Sequence, residues 1–195
     1  LTEINCSLSE DFIKCAEFHG HICPGLTIGY RAAQEALRHL EEERSGDEEI
    51  VAIVETDACC ADAIQVLTGC TFGKGNLIFR DYGKMVFYFL SRNSKKGVRL
   101  SMKPFSNERP DSEEEGDHEE ILLQRDGKYP EFKPEITRDI LQKPIDELFE
   151  IKEVEIDIPL RAKIEISELC DICHEPAMPS KMTVSGDLKV CRECR

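Results

Sequence analysis

Apolar residues in the first fifth of the chain recur at intervals of three and four. Leu26, Tyr30, Ala33, Leu37 and Leu40 form one stripe, the mark of a helix with a single buried face. Proline suits a first helical turn, so the spacing predicts a helix over about Pro24–Glu43, with Arg31, Gln34, Glu35, Arg38 and Glu41 facing outward. Before it, "SLSEDFIKCAEFHG" reads as a shorter helix. Ser7 or Ser9 caps it, acids fill its first turn, and Gly20 ends it.

The pattern then changes period. "EIVAIVETD" is a continuous apolar run, a buried strand over about Ile50–Glu55, and "CADAIQVLTG" is a short helix ending at Gly69. "NLIFRDYGKMVFYFL" reads as two strands around the turn Asp81-Tyr82-Gly83, and "GVRLSMK" as a third. "PEITRDILQKPIDELFEI" predicts short helices interrupted at Pro144, and "KEVEIDIPL" alternates like a half-exposed strand. These elements define an α+β fold, helices packed on a largely antiparallel sheet. The expected division is a core domain over 1–160 and a small ribbon over 161–195.

Composition narrows the class. The chain has 195 residues and a formal net charge of −14, which repels nucleic acid at long range. No apolar run approaches the roughly 18–20 residues of a membrane span, and the chain opens on polar residues without a signal-like segment. The expectation is a cytoplasmic protein. Eight acids in "NERPDSEEEGDHEE" cannot bury themselves and read as a solvated stretch. Ten cysteines without an export signal point to metal or thiol chemistry rather than to disulfides.

The last cysteines carry the most specific signal. Cys170-x2-Cys173 and Cys191-x2-Cys194 are separated by 17 residues. Two such knuckles joined by a hairpin, here with Gly186-Asp187 near its turn, place four thiolates around zinc. About thirty residues have too little core to fold alone, so the ion supplies the missing free energy. His174 reads as a bystander. Lys181, Lys189, Arg192 and Arg195 are balanced by Asp171, Glu175, Asp187 and Glu193, and a zinc ion on four thiolates brings this ribbon to a charge of about −2. That is a poor match for phosphate, so docking within a homodimer is the better expectation.

A second cluster lies near the start. His19, His21 and Cys23 occupy alternate positions in "EFHGHICPG", and in an extended segment they would share one side. Cys59 and Cys60 stand where a strand ends and a helix begins, a position where the helix dipole lowers a thiol pKa. One thiolate from that pair would complete a set of four with His19, His21 and Cys23. The alternative is a loop whose imidazoles are satisfied by carboxylates. Cys70 lies about 16 Å from Cys59 if the helix intervenes, so one ion cannot take both. Cys6 and Cys15 read as small buried apolar residues. Gly73-Lys74-Gly75 lacks the full phosphate-loop pattern. It is either a turn into a strand or a lysine reaching an anionic ligand.

Together these residues resemble the E-subunit family of formylmethanofuran dehydrogenase. Its members show "HGHxCPG" near the N-terminus, then "DxCxxDAIQxxTGCTxGKGN", and often a C-terminal zinc ribbon. Here the first motif is His19–Gly25, and the second runs from Asp57 through Cys59, Asp62 and Gln65 to Asn76. The match spans residues 10–100. The resemblance implies an α+β core with a metal-associated His/Cys site, a zinc ribbon, a dimer and a link to one-carbon metabolism, without supplying a reaction. It favours Cys59 over Cys60 as the functional thiol. The resulting expectation is a metal-binding accessory or redox protein, with association to an oxidoreductase complex as one partnership. Cys59, as nucleophile or ligand, Asp62 and Lys74 are the candidate chemical groups. The expected core metal site is His19, His21, Cys23 and Cys59 around zinc or iron. A non-catalytic zinc-dependent interaction protein is the alternative, ahead of a nucleic-acid-binding regulator.

Overall fold

A computed structural model of the chain describes residues 8–104 and 134–195. Cys6 and the acidic stretch 107–120 lie outside the described residues. The chain divides into two compact units, Leu1–Arg161 and Ala162–Arg195.

The first unit is helices on a five-stranded sheet. Helix α1 spans Glu10–His19. Ser9 caps it, its hydroxyl accepting from the Phe12 N–H at 3.2 Å. Phe12 and Cys15 are buried against α2, Pro24–Leu40, where the Phe12 and Tyr30 rings meet edge-on with centroids 5.0 Å apart. The Ser9 hydroxyl and the Tyr30 phenol share a hydrogen bond of 2.6 Å. Helix α2 stops three residues before the expected end, because Glu41 takes a left-handed conformation with φ 56° and its N–H returns to the carbonyls of Arg38 and Leu37.

Strand β1, Ile50–Val54, is buried along its whole length. It feeds α3, Cys60–Thr68. Strands β2, Leu77–Phe79, β3, Val86–Ser91, β4, Gly97–Met102, and β5, Phe149–Glu153, complete the sheet in the order β2-β1-β3-β4-β5. Among these described strands only the β1–β2 pair is parallel. The strands on either side of Asp81-Tyr82-Gly83 are therefore not partners, since β1 runs between them.

Two short helices precede β5: α4, Pro134–Gln142, and α5, Ile145–Leu148. The main core lies between the sheet and α2, α3 and α4, with Ile28, Ala32, Ile64, Phe87, Leu100 and Ile140 at its centre. The opposite sheet face buries Val51, Ile53 and Leu90 under Val154 and Ile158. The alternation in "KEVEIDIPL" thus covers a sheet face instead of extending the sheet, and the strand itself starts earlier, at Phe149.

Arg31 and Glu35 face inward, against expectation. The Arg31 guanidinium donates to the carbonyls of Ile140, Leu141 and Lys143 at 2.6, 2.5 and 2.9 Å. It satisfies the open carbonyl end of α4, and α4 in turn covers the outer side of α2. Glu35 is buried and holds Arg38 in a two-pronged pair. A helix with neighbours on two sides has no single outward face.

The second unit has β6, Glu168–Leu169, paired with β7, Pro176–Ala177, then a 3-10 turn at Pro179–Lys181. A hairpin of β8, Met182–Ser185, and β9, Leu188–Cys191, follows and turns at Gly186 with φ 63°.

Candidate metal centres

Three helix ends meet at the first centre. His19 is the last residue of α1, and Gly20 reverses the chain with φ 95°, its N–H returning to the Ala16 carbonyl at 2.8 Å. Cys23 is the N-cap of α2, its sulfur accepting from the Leu26 N–H at 3.4 Å. One ligand atom from each of His19, His21 and Cys23 lies within 4.8 Å of the others. The convergence does not come from an extended segment, as the alternate spacing suggests. It comes from a helix end, a left-handed glycine and a helix start.

His19 is held at both ring nitrogens. Nδ1 is 2.7 Å from Asp62 Oδ2, and Nε2 is 3.9 Å from the Cys23 sulfur. Zinc bonds of about 2.0–2.3 Å in a tetrahedron put donors about 3.3–3.8 Å apart, so this pair already stands near ligand spacing. A carboxylate on the far nitrogen fixes the tautomer that leaves Nε2 with its lone pair toward the cluster. His21 lies beside it, ring centroids 4.5 Å apart. Burial, and then the neighbouring His19, push the His21 pKa below its usual value, which favours the neutral, ligating form.

Cys59 enters from the chain just before α3. A Cβ added at Gly25 would stand 3.2 Å from the Cys59 Cβ and 3.9 Å from its sulfur. Helix α2 begins directly against this residue. A helix start predicts a lowered Cys59 thiol, but burial first, and then the Cys23 sulfur bonded to it, push it up instead. Two thiols side by side resist ionising together, and a cation between them would reverse that cost. Cys60 points into the main core and burial pushes its thiol up to about 12.

Gly29 sets how closely α2 and α3 approach. A Cβ there would lie 2.2 Å from the Cys60 carbonyl oxygen, so only glycine lets α2 cross the first turn of α3. Sequence reasoning missed Gly25 and Gly29. Their signal was two glycines four apart on one helix face, immediately after a candidate ligand.

Lys74 is not brought to this cluster. Its loop follows α3, at the opposite end of that helix, and its ammonium donates to the Asp47 carbonyl at 2.5 Å. Asn76 is buried and donates to the carbonyls of Asp47 and Ile50 at 3.2 and 2.9 Å. Cys70 is buried on the Ile50 carbonyl, and Cys15 on that of Ala63.

In the second unit the sulfurs of Cys170, Cys173, Cys191 and Cys194 lie within 4.8 Å of one another. The Cys170 sulfur accepts the Cys191 N–H at 3.4 Å, and backbone N–H groups of Cys191, Cys173 and Ile172 lower its pKa to about 6. The Cys194 thiol is pushed up to about 12, first by Cys191. Four sulfurs of which one is strongly favoured as thiolate form the donor set of a cation. His174 is exposed, in a left-handed conformation with φ 58°.

An α+β core carrying a His/Cys cluster at converging helix ends, followed by a four-cysteine unit, defines a protein of metal-binding type. The family described as FmdE, molybdenum formylmethanofuran dehydrogenase operon, matches residues 18–150, and the chain belongs to it. The crystal structure of an FmdE-like protein of tungsten formylmethanofuran dehydrogenase, from Syntrophus aciditrophicus, is similar, with a TM-score of 0.61 and 26% identity over 95% of this chain and 90% of that one. A probable S-adenosyl-L-methionine-binding protein of Archaeoglobus fulgidus is 33% identical over 186 residues, covering 90% of this chain. The chain spans about half the length of that curated relative, 50%. Among the described residues no helix is long and apolar enough to cross a membrane.

Proposed function

We propose that the protein binds two metal ions per chain, a structural zinc in the ribbon and a second transition ion, zinc or iron, in the core. In that role it serves as an accessory or redox protein of one-carbon metabolism. The observation that carries the core site is His19, anchored by Asp62 at Nδ1 while Nε2 faces the Cys23 sulfur. His19, His21, Cys23 and Cys59 would hold the ion, and Asp62 would orient the first of them. A bound ion there would supply a Lewis acid or a redox centre. The chain's own residues supply the rest: neutral imidazoles, a thiol pair, and a site left partly open, with the His19 side chain 12% exposed and Asp62 34%.

The nine cysteines among the described residues are all free, which suits a reducing compartment such as the cytoplasm. A homodimer and association with an oxidoreductase complex belong to the same proposal. The adenosylmethionine binding in the name of the archaeal relative belongs to a protein twice as long and is not carried over. The competing reading is an interaction protein whose only ion sits in the ribbon. The raised Cys59 thiol favours it, because a nucleophilic cysteine needs the opposite shift.

Elemental analysis of the purified chain decides between them. Two ions per wild-type chain and one in Cys59→Ser and His21→Ala support the core site. One ion per wild-type chain, unchanged in both variants, overturns it.

A further inference from the structure

The loop of 71–76, with its Gly73-Lys74-Gly75, lies at the far end of α3 from the core cluster, so neither reading of its lysine in the sequence explains it. The hydrogen bonds do. Gln65, one turn after Asp62 on α3, spans the gap. Its Oε1 accepts the Phe72 N–H at 3.2 Å, and its Nε2 donates to Asp62 Oδ1 at 3.4 Å. The two ends enforce each other: an N–H needs the amide oxygen and a carboxylate needs the amide nitrogen, so only one orientation of the amide satisfies both.

The loop that receives Gln65 is firmly built. The Thr71 N–H donates to Asn76 Oδ1 at 3.0 Å, and the Lys74 N–H to Thr71 Oγ1 at 3.2 Å. Asn76, with 1% of its surface exposed, donates to the chain entering β1, and Lys74 Nζ donates there too. Asp62 has its other oxygen on His19 Nδ1. An unbroken line of bonds thus runs from the buried Asn76 through Thr71, Phe72, Gln65 and Asp62 to His19.

We propose that Gln65 is a positioning residue of the core metal site, tying Asp62, and through it His19, to the 71–76 loop. The inference rests on the core-site reading above. Residues that orient a ligating histidine typically contribute 10–100-fold to metal affinity, so for Gln65, one bond further out, a loss of about tenfold is expected. The loop acts as an anchor rather than a ligand-binding element, with Lys74 spent on its own fold.

The test uses cobalt(II) as the probe on the full chain. His19→Ala serves as reference, so that the difference spectrum reports the core site alone. Gln65→Met removes both bonds at similar volume. It should weaken core cobalt binding about tenfold, change the visible spectrum of the core site and leave ribbon occupancy as in wild type. In an Asp62→Ala background the same substitution should add nothing, because Gln65 acts only through Asp62. Gln65→Glu, which keeps an acceptor for Phe72 but loses the donor to Asp62, should weaken binding alike and stands in should Gln65→Met fold poorly. Wild-type affinity and spectrum in both variants overturn the inference, as does a full effect persisting without Asp62. A wild-type chain that takes cobalt only in the ribbon fails the core-site reading itself, a separate outcome.

Discussion

In the ribbon, two knuckles supply four sulfurs, and besides Cys170 only Met182 and Val190 are buried among its described residues. Around them Ile164, Ile166 and Val184 are largely exposed. In the core site the ligand candidates hang on the ends of three helices, and those helices are held elsewhere: by Phe12 on Tyr30, by Gly29 against Cys60, by Ile28 and Ile64 over the sheet. The ribbon's fold depends on its ligands, whereas the core site's ligands depend on the fold. The same thiol chemistry therefore predicts opposite consequences for stability and for binding.

The largest effect is expected where the ion is the core. Structural zinc contributes about 10–16 kcal/mol in isolated zinc-finger peptides, far more than three buried residues can replace. Cys173→Ser or Cys191→Ser should unfold residues 162–195 and leave the melting of the first unit unchanged. Limited proteolysis followed by mass measurement reads this as rapid loss of the C-terminal segment. Equal protease resistance of wild type and variant would erase the contrast.

Gly29→Val breaks the comparison from the other side. Its Cβ would meet a backbone oxygen at 2.2 Å, which no side-chain movement relieves. Overpacking costs about 1–3 kcal/mol, and a backbone clash sits at or above the upper end. The first unit should melt lower and lose its core ion, while ribbon zinc stays, as a melt paired with elemental analysis would show. Asp62→Ala should do the reverse. The carboxylate is partly exposed, so core stability should move by less than about 0.5 kcal/mol. Affinity for the core ion should fall about 10–100-fold, read by competition with a coloured chelator.

Much of this contrast was legible in the sequence, for reasons that differ between the sites. Ribbon cysteines are spaced by a local rule, so Cys170, Cys173, Cys191 and Cys194 could be grouped without knowing the fold. The core group joins His19 to Cys59 across forty positions of chain, and only the resemblance to a family motif singled Cys59 out from Cys60. Local signals also placed Ser9, Gly20, Pro24 and Gly69 at helix ends, because caps depend on neighbours in sequence. What failed was tertiary. Arg31 looks like a surface residue until α4 brings three carbonyls to it. Phe149–Glu153 reads as a helix tail until β4 pairs with it. Cys59 has the position of an activated thiol, but the sulfur of Cys23 arrives from another helix and, with burial, reverses the shift.

Acid separates the two regions with the smallest perturbation. Glu49 accepts from the Ser45 hydroxyl at 2.6 Å and the Asp47 N–H at 2.8 Å, and these bonds, Ser45 first, lower its pKa from 4.5 to about 2. A carboxyl depressed on folding contributes stability above its unfolded pKa and loses it as pH falls through the folded one. That contribution is complete above pH 4.5 and fades toward pH 2. Glu49→Gln should flatten the acid limb of the first unit's melting curve in that window and leave the curve near neutrality almost unchanged. The ribbon should fail earlier on the same titration. Protons compete with its ion for four thiolates, and even the sulfur best supplied with N–H donors, Cys170, titrates at about 6. Elemental analysis after dialysis at stepwise lower pH should find ribbon metal lost while Glu49 still holds its loop. Simultaneous loss of ribbon metal and core melting, in wild type and Glu49→Gln alike, would mean that the two regions are one cooperative structure.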